Sequence, residues 1–220
     1  MVIVAAHNEA DRIGGTLNAL ADSLPGAEVV VADDASSDGT PEVALVHGAR
    51  VISRGRPHGK GANVTAAAVA GLDGADASAV FLLCDADLGA SAAELGALVA
   101  AVERDECDLA VGAFRHRRGG GFGVTLGFAR WAIERRCGYR AGAPLSGQRA
   151  MRARVLRDVL PLASGFGLET GMSIDAVRAG YRLREIELDL THRVTGRSLG
   201  GFLHRGRQLL DIARAYLSRR

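Results

Sequence analysis

Two aspartates one residue apart, Asp85 and Asp87, close an apolar run in "FLLCDADLGAS" (81–91). Like charges that close repel, so either water solvates them or a cation joins them. Two more polar clusters follow apolar runs, "AAHNEA" (5–10) and "ADDASSDGT" (32–40). In "RPHGKGAN" (56–63), Lys60 stands between glycines before a helical pattern. Glycines let backbone amides approach a phosphate, a helix N-terminus favours an anion, and the lysine adds charge. Glu169 opens a helical pattern in "GFGLETG" (165–171), where an acid in the first turn is also favourable in itself. His192 follows an apparent strand, with Arg193 and Arg197 close in sequence. The chain has no Walker loop and no G-x-G-x-x-G after its first apolar run, which argues against P-loop and dinucleotide-binding domains.

These clusters need a frame that gathers them. The runs at 2–6, 28–33, 49–53, 79–84 and 107–113 are near-continuously apolar, as strands buried on both faces of a parallel sheet are. Helical patterns lie between them at about 9–23, 41–47, 61–73 and 91–104. Thr40-Pro41 reads as an N-cap with proline at the first helical position, and Ser91-x-x-Glu94 as a capping box. Alternation of this kind predicts an α/β sheet with right-handed crossovers. Such sheets bind ligands at the carboxyl ends of their strands, where all three polar clusters fall. Beyond 113 come a basic glycine-rich loop at 115–123, helices at 124–137, 152–159, 169–179 and 199–217, and a strand near 182–188.

In order and interval, "VVVADDASSDGT", "GKGAN" and "FLLCDADL" resemble the nucleotide-sugar-binding half of family 2-type glycosyltransferases with the GT-A fold. The resemblance implies one domain over 1–220, with a mostly parallel central sheet flanked by helices. Residues 1–113 would bind the nucleotide sugar and 114–220 would form the acceptor side. It implies that Ala5, Asn8 and Glu9 line the nucleoside site, that Asp33 or Asp34 reaches the base or ribose, and that Lys60 lies close by. Asp87 would bind Mg²⁺ or Mn²⁺ on the donor diphosphate, with Asp85 on the ribose or a metal water. Glu169 would take the proton of an acceptor hydroxyl, or position the surroundings of an acceptor phosphate. The "THRVTGR" stretch (191–197) is similar to glucosyl-phosphoglycerate synthases and implies His192 as a metal ligand, with Arg193 and Arg197 meeting the donor diphosphate or an acceptor anion. The implied reaction is metal-dependent transfer from a UDP- or GDP-sugar to a hydroxyl or phosphate acceptor. Inversion is the default for this family, and retention the alternative of the phosphoglycerate-acceptor type. A sugar-1-phosphate nucleotidyltransferase would carry a glycine- and arginine-rich loop after the first strand, unlike "AAHNEA". A non-catalytic nucleotide-sugar-binding module is the other alternative.

Length and composition agree with this reading. A chain of 220 residues, 48% hydrophobic and 24% charged, suits one large domain. A net charge of +2 gives no reason to expect nucleic acid. Cys84, Cys107 and Cys137 lack metal-type spacing and read as reduced core residues of a cytoplasmic protein. No apolar run approaches the roughly 18 residues that span a bilayer, and "MVIVAAHNEA" lacks the charged start of a signal peptide. From Arg193 to Arg220, Asp211 is the only acid among seven arginines. Leu199, Phe202, Leu203, Leu210, Ala213, Tyr216 and Leu217 share helical spacing, with Arg205, Arg207, Arg214 and Arg219 elsewhere. That pattern reads as a terminal helix packed on the domain with a solvated basic face, or as a helix at an anionic membrane surface. The expected partners are a nucleotide-diphosphate sugar, a small-molecule or lipid-phosphate acceptor, a peripheral membrane at its inner face, and a second copy in a homodimer.

Overall fold

The computed structural model describes residues 1–115, 123–165, 167–191 and 199–219. Among these, seven strands form one mixed sheet: β1 (Val2–Ala6), β2 (Val29–Asp33), β3 (Arg50–Ser53), β4 (Val80–Asp85), β5 (Leu109–Phe114), β6 (Arg149–Arg152) and β7 (Leu183–Leu188). Their order is β3-β2-β1-β4-β6-β5-β7, and only β6 runs antiparallel to its neighbours. The sheet is therefore mostly parallel, as the apolar runs predict, and the predicted strands sit within two residues of their expected ends. β6 is the element the sequence pattern does not reveal. It is four residues long, carries Arg149 and Arg152, and acquires strand geometry by pairing with β4 and β5.

Alternation along the central strands builds two cores. Val2 and Val4 point to one face, where Ile13, Leu17 and Leu20 of α1 (Ile13–Ser23) pack against them. Ile3 points to the other, with Val64, Ala67 and Ala68 of α3 (Lys60–Leu72). The remaining helices are α2 (Thr40–Val46), α4 (Gly96–Glu103), α5 (Val124–Cys137), α6 (Ala153–Val159), α7 (Gly167–Arg178) and α8 (Leu199–Ser218).

Two expected helix starts differ. Gly39, in the left-handed region at φ 89°, precedes α2, and Thr40 is its first residue. The Thr40 hydroxyl donates to Asp38 at 2.5 Å and accepts from the Glu9 N–H at 2.9 Å, tying α2 to the first loop. Ser91 and Glu94 lie inside a 3₁₀ turn (Gly89–Leu95), where Ser91 Oγ donates to the Leu88 carbonyl and accepts from the Thr191 N–H. The expected capping box is thus a tether between distant loops.

α8 packs on the acceptor half with only part of the expected stripe, since Tyr216 packs inward but two of its leucines do not. Ile212 and Ala215 are buried, while Leu210 and Leu217 stand 58% and 55% exposed. Asp175 of α7 holds Arg219 at 2.6 Å, and a side chain at Gly167 would strike the Asp211 carbonyl at 2.7 Å. Backbone proximity, rather than the leucine stripe, selects the inner face. No helix among the described residues is long and apolar enough to cross a membrane.

Close packing also fixes the start of α3. A methyl group at Gly61 would fall 2.0 Å from the Ala163 carbonyl oxygen in the loop before α7. Gly61→Ala should therefore lower stability by about 1–3 kcal/mol or more, the scale of overpacking a rigid core. Gly127, inside α5 with nothing within 4 Å of an added methyl, is the control. Gly127→Ala should raise stability by about 0.4–1 kcal/mol through the unfolded chain's entropy. Denaturant midpoints of the two variants, compared with the parent, check both signs.

Candidate active site

Register brings the three polar clusters to one edge. Ala6 pairs with Asp33 and Ala5 with Asp85, so β1, β2 and β4 all end at the same level. Beyond those ends lies a cleft of about 440 Å³. Ala5, His7, Glu9, Asp34, Lys60, Asp85 and Asp87 line it on the sheet side, and Phe114 with Leu145–Gln148 close the other side.

The two aspartates that the sequence leaves open separate by location. Asp33 is 1% exposed, and its carboxylate turns inward to accept from the Ser36 N–H at 3.2 Å and the Ser53 hydroxyl at 2.9 Å. Asp34 lines the cleft and accepts from the N–H groups of His58 (2.7 Å) and Gly59 (3.0 Å) and from the Asn63 side chain. Asp34 thereby fastens the "HGKGAN" loop to the end of β2. Asn8 is not brought to the cleft wall. Its Oδ1 accepts from the Ser37 N–H at 2.9 Å and its own N–H donates to Ser36 Oγ, so it pins the second loop to the first.

Lys60 is the first residue of α3, and its ammonium bridges the two halves of the chain. Nζ stands 2.7 Å from Asp85 Oδ1 and 2.8 Å from Glu169 Oε1. Burial opposes this charge, but Asp85 and Glu169 outweigh it and hold the pKa well above that of a free lysine. For Asp85, a cation from the chain itself is therefore in place, the Lys60 ammonium that the resemblance sets close by. The other Asp85 oxygen accepts from Gln148 Nε2 at 2.8 Å, while Gln148 Oε1 accepts from the Asp85 N–H at 3.1 Å. Gly147 makes room for this cluster, because a methyl there would lie 2.6 Å from Lys60 Nζ and 2.8 Å from Asp85 Oδ2.

Glu169 sits in the first turn of α7, as expected, but is 4% exposed and lies behind Lys60 rather than on the cleft wall. Behind it is Arg149 of β6, fully buried, which donates to the Ser146 carbonyl at 2.9 Å and to Ser173 Oγ at 3.0 Å. Burial pushes the Arg149 pKa down to about 10, opposed by the charges of Glu169 and Glu185. It remains a cation near neutrality and balances the buried acids. The Cys84 thiol, buried one residue before Asp85, has its pKa pushed up and stays an inert thiol.

Sequence reasoning missed Gln148, Arg149 and His7. The partner of Gln148 appears only when β6 pairs with β4. His192, Arg193 and Arg197 lie outside the described residues. No group of three or more His, Cys, Asp or Glu side chains that could hold a metal ion occurs among the described residues. What the cleft offers is the hard oxygen donors of Asp85 and Asp87. That donor set fits an ion whose other ligands come from a bound diphosphate.

Comparison with known proteins agrees with this geometry. The model of glycosyl transferase family 2 matches residues 1–160. The chain is 30% identical over 239 residues to an undecaprenyl-phosphate mannosyltransferase of Micrococcus luteus, covering 100% of this chain and 95% of that protein. Glucosyl-3-phosphoglycerate synthase of Mycobacterium tuberculosis, solved with phosphoglyceric acid, superposes with a TM-score of 0.79 at 27% identity, over 99% of this chain and 78% of that one. The same synthase solved with Mn²⁺, UDP-glucose and phosphoglyceric acid gives 0.77 at 26% identity, over 99% and 78% of the two chains. Solved with Mg²⁺ and UDP, it gives 0.76 at 25%, over 97% and 78%. The chain belongs to glycosyl transferase family 2 and is a glycosyltransferase with the GT-A fold.

Proposed function

We propose that the protein transfers a sugar from a UDP- or GDP-sugar to the phosphate oxygen of a lipid-phosphate acceptor. The observation that carries this reading is the Lys60 bridge. A hydroxyl acceptor needs a base to remove its proton, whereas a phosphate monoester is already anionic at neutral pH. Glu169 does not line the cleft, and its Oε1 is occupied by Lys60. It serves as a positioning residue that aims the Lys60 charge at phosphate oxygens. The near full-length likeness to a mannosyltransferase named for a lipid phosphate supports the same acceptor class.

In this reading Ala5, Glu9 and Asp34 bound the nucleoside part of the cleft, and Gln148 keeps Asp85 oriented. Asp87 would hold Mg²⁺ or Mn²⁺ when the donor diphosphate is bound. The ion's contribution is to offset the charge that grows on the departing diphosphate. The acceptor oxygen forms its bond to the anomeric carbon as the bond to the nucleoside diphosphate breaks, with net inversion. The apolar wall at Phe114 and Leu145 keeps water from competing for the sugar.

Transfer assays with labelled UDP- and GDP-sugars test the acceptor. Product should form with polyprenyl phosphate in detergent and not with 3-phosphoglycerate, and transfer confined to the soluble acceptor would overturn the assignment. EDTA should abolish transfer, and Asp87→Asn should reduce it by at least about 100-fold while leaving the melting temperature close to that of the parent.

The Lys60 bridge gives a second test. Lys60→Gln and Glu169→Gln should each weaken donor binding by about 1–3 kcal/mol, and the double variant should be little worse than either alone, as coupled partners behave. Calorimetric donor titration of the three variants measures this. If Glu169→Gln instead loses about 10²–10⁴-fold in kcat at unchanged donor affinity, Glu169 is a base and the acceptor oxygen carries a proton.

A further inference from the structure

α5 and α8 meet through Ala129, Ala132 and Ile212, all buried. Along the outer side of that seam the apolar residues are not covered. Trp131 stacks on Phe128 with ring centroids 5.6 Å apart and on Tyr216 at 5.0 Å, yet is 49% exposed. Val124 is 62% exposed and falls one helical stripe with Phe128 and Trp131. On α8, Leu210, Ala213 and Leu217 share the flank that begins at Tyr216, so the two stripes meet at the Trp131–Tyr216 contact. Among the described residues, the other exposed large apolar side chains, Leu45, Val46 and Val69, are aliphatic and lie on α2 and α3.

The described charges beside this strip are mostly positive: Arg130, Arg135 and Arg136 with Glu134 on α5, and Arg214 with Asp211 on α8. Glu134 is engaged by Arg140 and Asp211 by Arg214. Arg135 is exposed one turn from Trp131, and the Arg136 guanidinium lies 3.8 Å over the Tyr216 ring. The strip also leads to the active site, because Leu145 packs on the α5–α8 cluster and lines the cleft.

We propose that the outer α5–α8 seam docks on an anionic bilayer and presents the headgroup of a lipid-phosphate acceptor to the cleft beside Leu145; this rests on the lipid-phosphate reading above. Tryptophan and tyrosine favour the boundary between headgroup and acyl chain, and arginines reach lipid phosphates while their stems lie on apolar surface. A second copy of the chain is the poorer occupant, since two arginine-rimmed strips brought face to face repel.

Vesicle co-sedimentation tests the docking without requiring turnover. The full chain should bind vesicles of three parts phosphatidylcholine to one part phosphatidylglycerol, and bind pure phosphatidylcholine at least about tenfold less at low salt, with the difference shrinking as salt rises. Leu210→Glu/Leu217→Glu alters two side chains more than half exposed and should keep the parental melting temperature. It should lose at least about tenfold in binding to the anionic vesicles. Its transfer to a water-soluble short-chain prenyl phosphate should be unchanged, whereas transfer to long-chain polyprenyl phosphate in vesicles should fall with the binding. Parental vesicle binding by the double variant, or equal binding to neutral and anionic vesicles, overturns the docking surface. So does a dimer, seen by sedimentation velocity, that the double variant abolishes. Vesicle binding that depends on Leu210 and Leu217, without transfer to either prenyl phosphate, would instead leave docking standing and overturn the acceptor reading.

Discussion

The Lys60 ammonium, held between Asp85 and Glu169 at 2.7 and 2.8 Å, is the constraint on which the rest of the site depends. A carboxylate at the end of β4 and a nearly buried glutamate on α7 would each be costly without a cation. One lysine satisfies both, and it comes from a third element. The surrounding structure serves that meeting. Asp34 anchors the loop before Lys60, and Gly61 lets α3 approach the segment before α7. Gly147 leaves the space the ammonium occupies, and Gln148 holds the second Asp85 oxygen. Removing either anion would leave the lysine held on one side only.

The mixed sheet explains how two halves of the chain share this cluster. Strands β1 to β4 could build a nucleotide cleft alone, but its far wall would be missing. β6 enters antiparallel beside β4 and carries the Ser146–Gln148 turn to the end of that strand, directly against Asp85. The same strand buries Arg149 beneath Glu169, so a positive charge backs the acid from inside while Lys60 faces it from the cleft. Alternating charge in a low-dielectric setting keeps each member fixed in place, which is what preorganised recognition of a diphosphate requires.

α8 shows how a tertiary contact reassigns a helix face. Its leucines at 210 and 217 look like packing residues, but Gly167 admits the α8 backbone closely at Asp211, and the neighbouring Ile212 and Ala215 take the inner face. The leucines turn outward next to Trp131 and Tyr216. The helix thereby acquires an apolar outer edge that continues toward the cleft through Leu145.

By itself the sequence determined the α/β class, the parallel strands, the edge at which Asp34, Lys60, Asp85 and Asp87 gather, and the position of Glu169 at a helix start. These follow from local periodicity and from the rule that parallel strands end together, both of which act over short stretches of chain. Only the tertiary structure decided which aspartate of the Asp33-Asp34 pair faces the cleft, because both are equally polar and only the Ser36 and Ser53 donors turn Asp33 inward. It alone placed Gln148 on Asp85 and Lys60 on Glu169, contacts that span 63 and 109 residues. The pattern around Gln148 carries no strand signal, since β6 is stabilised by neighbours far away in the chain. Which charge meets which is a property of the folded sheet, because a lysine's reach is set by where two distant backbones come to rest.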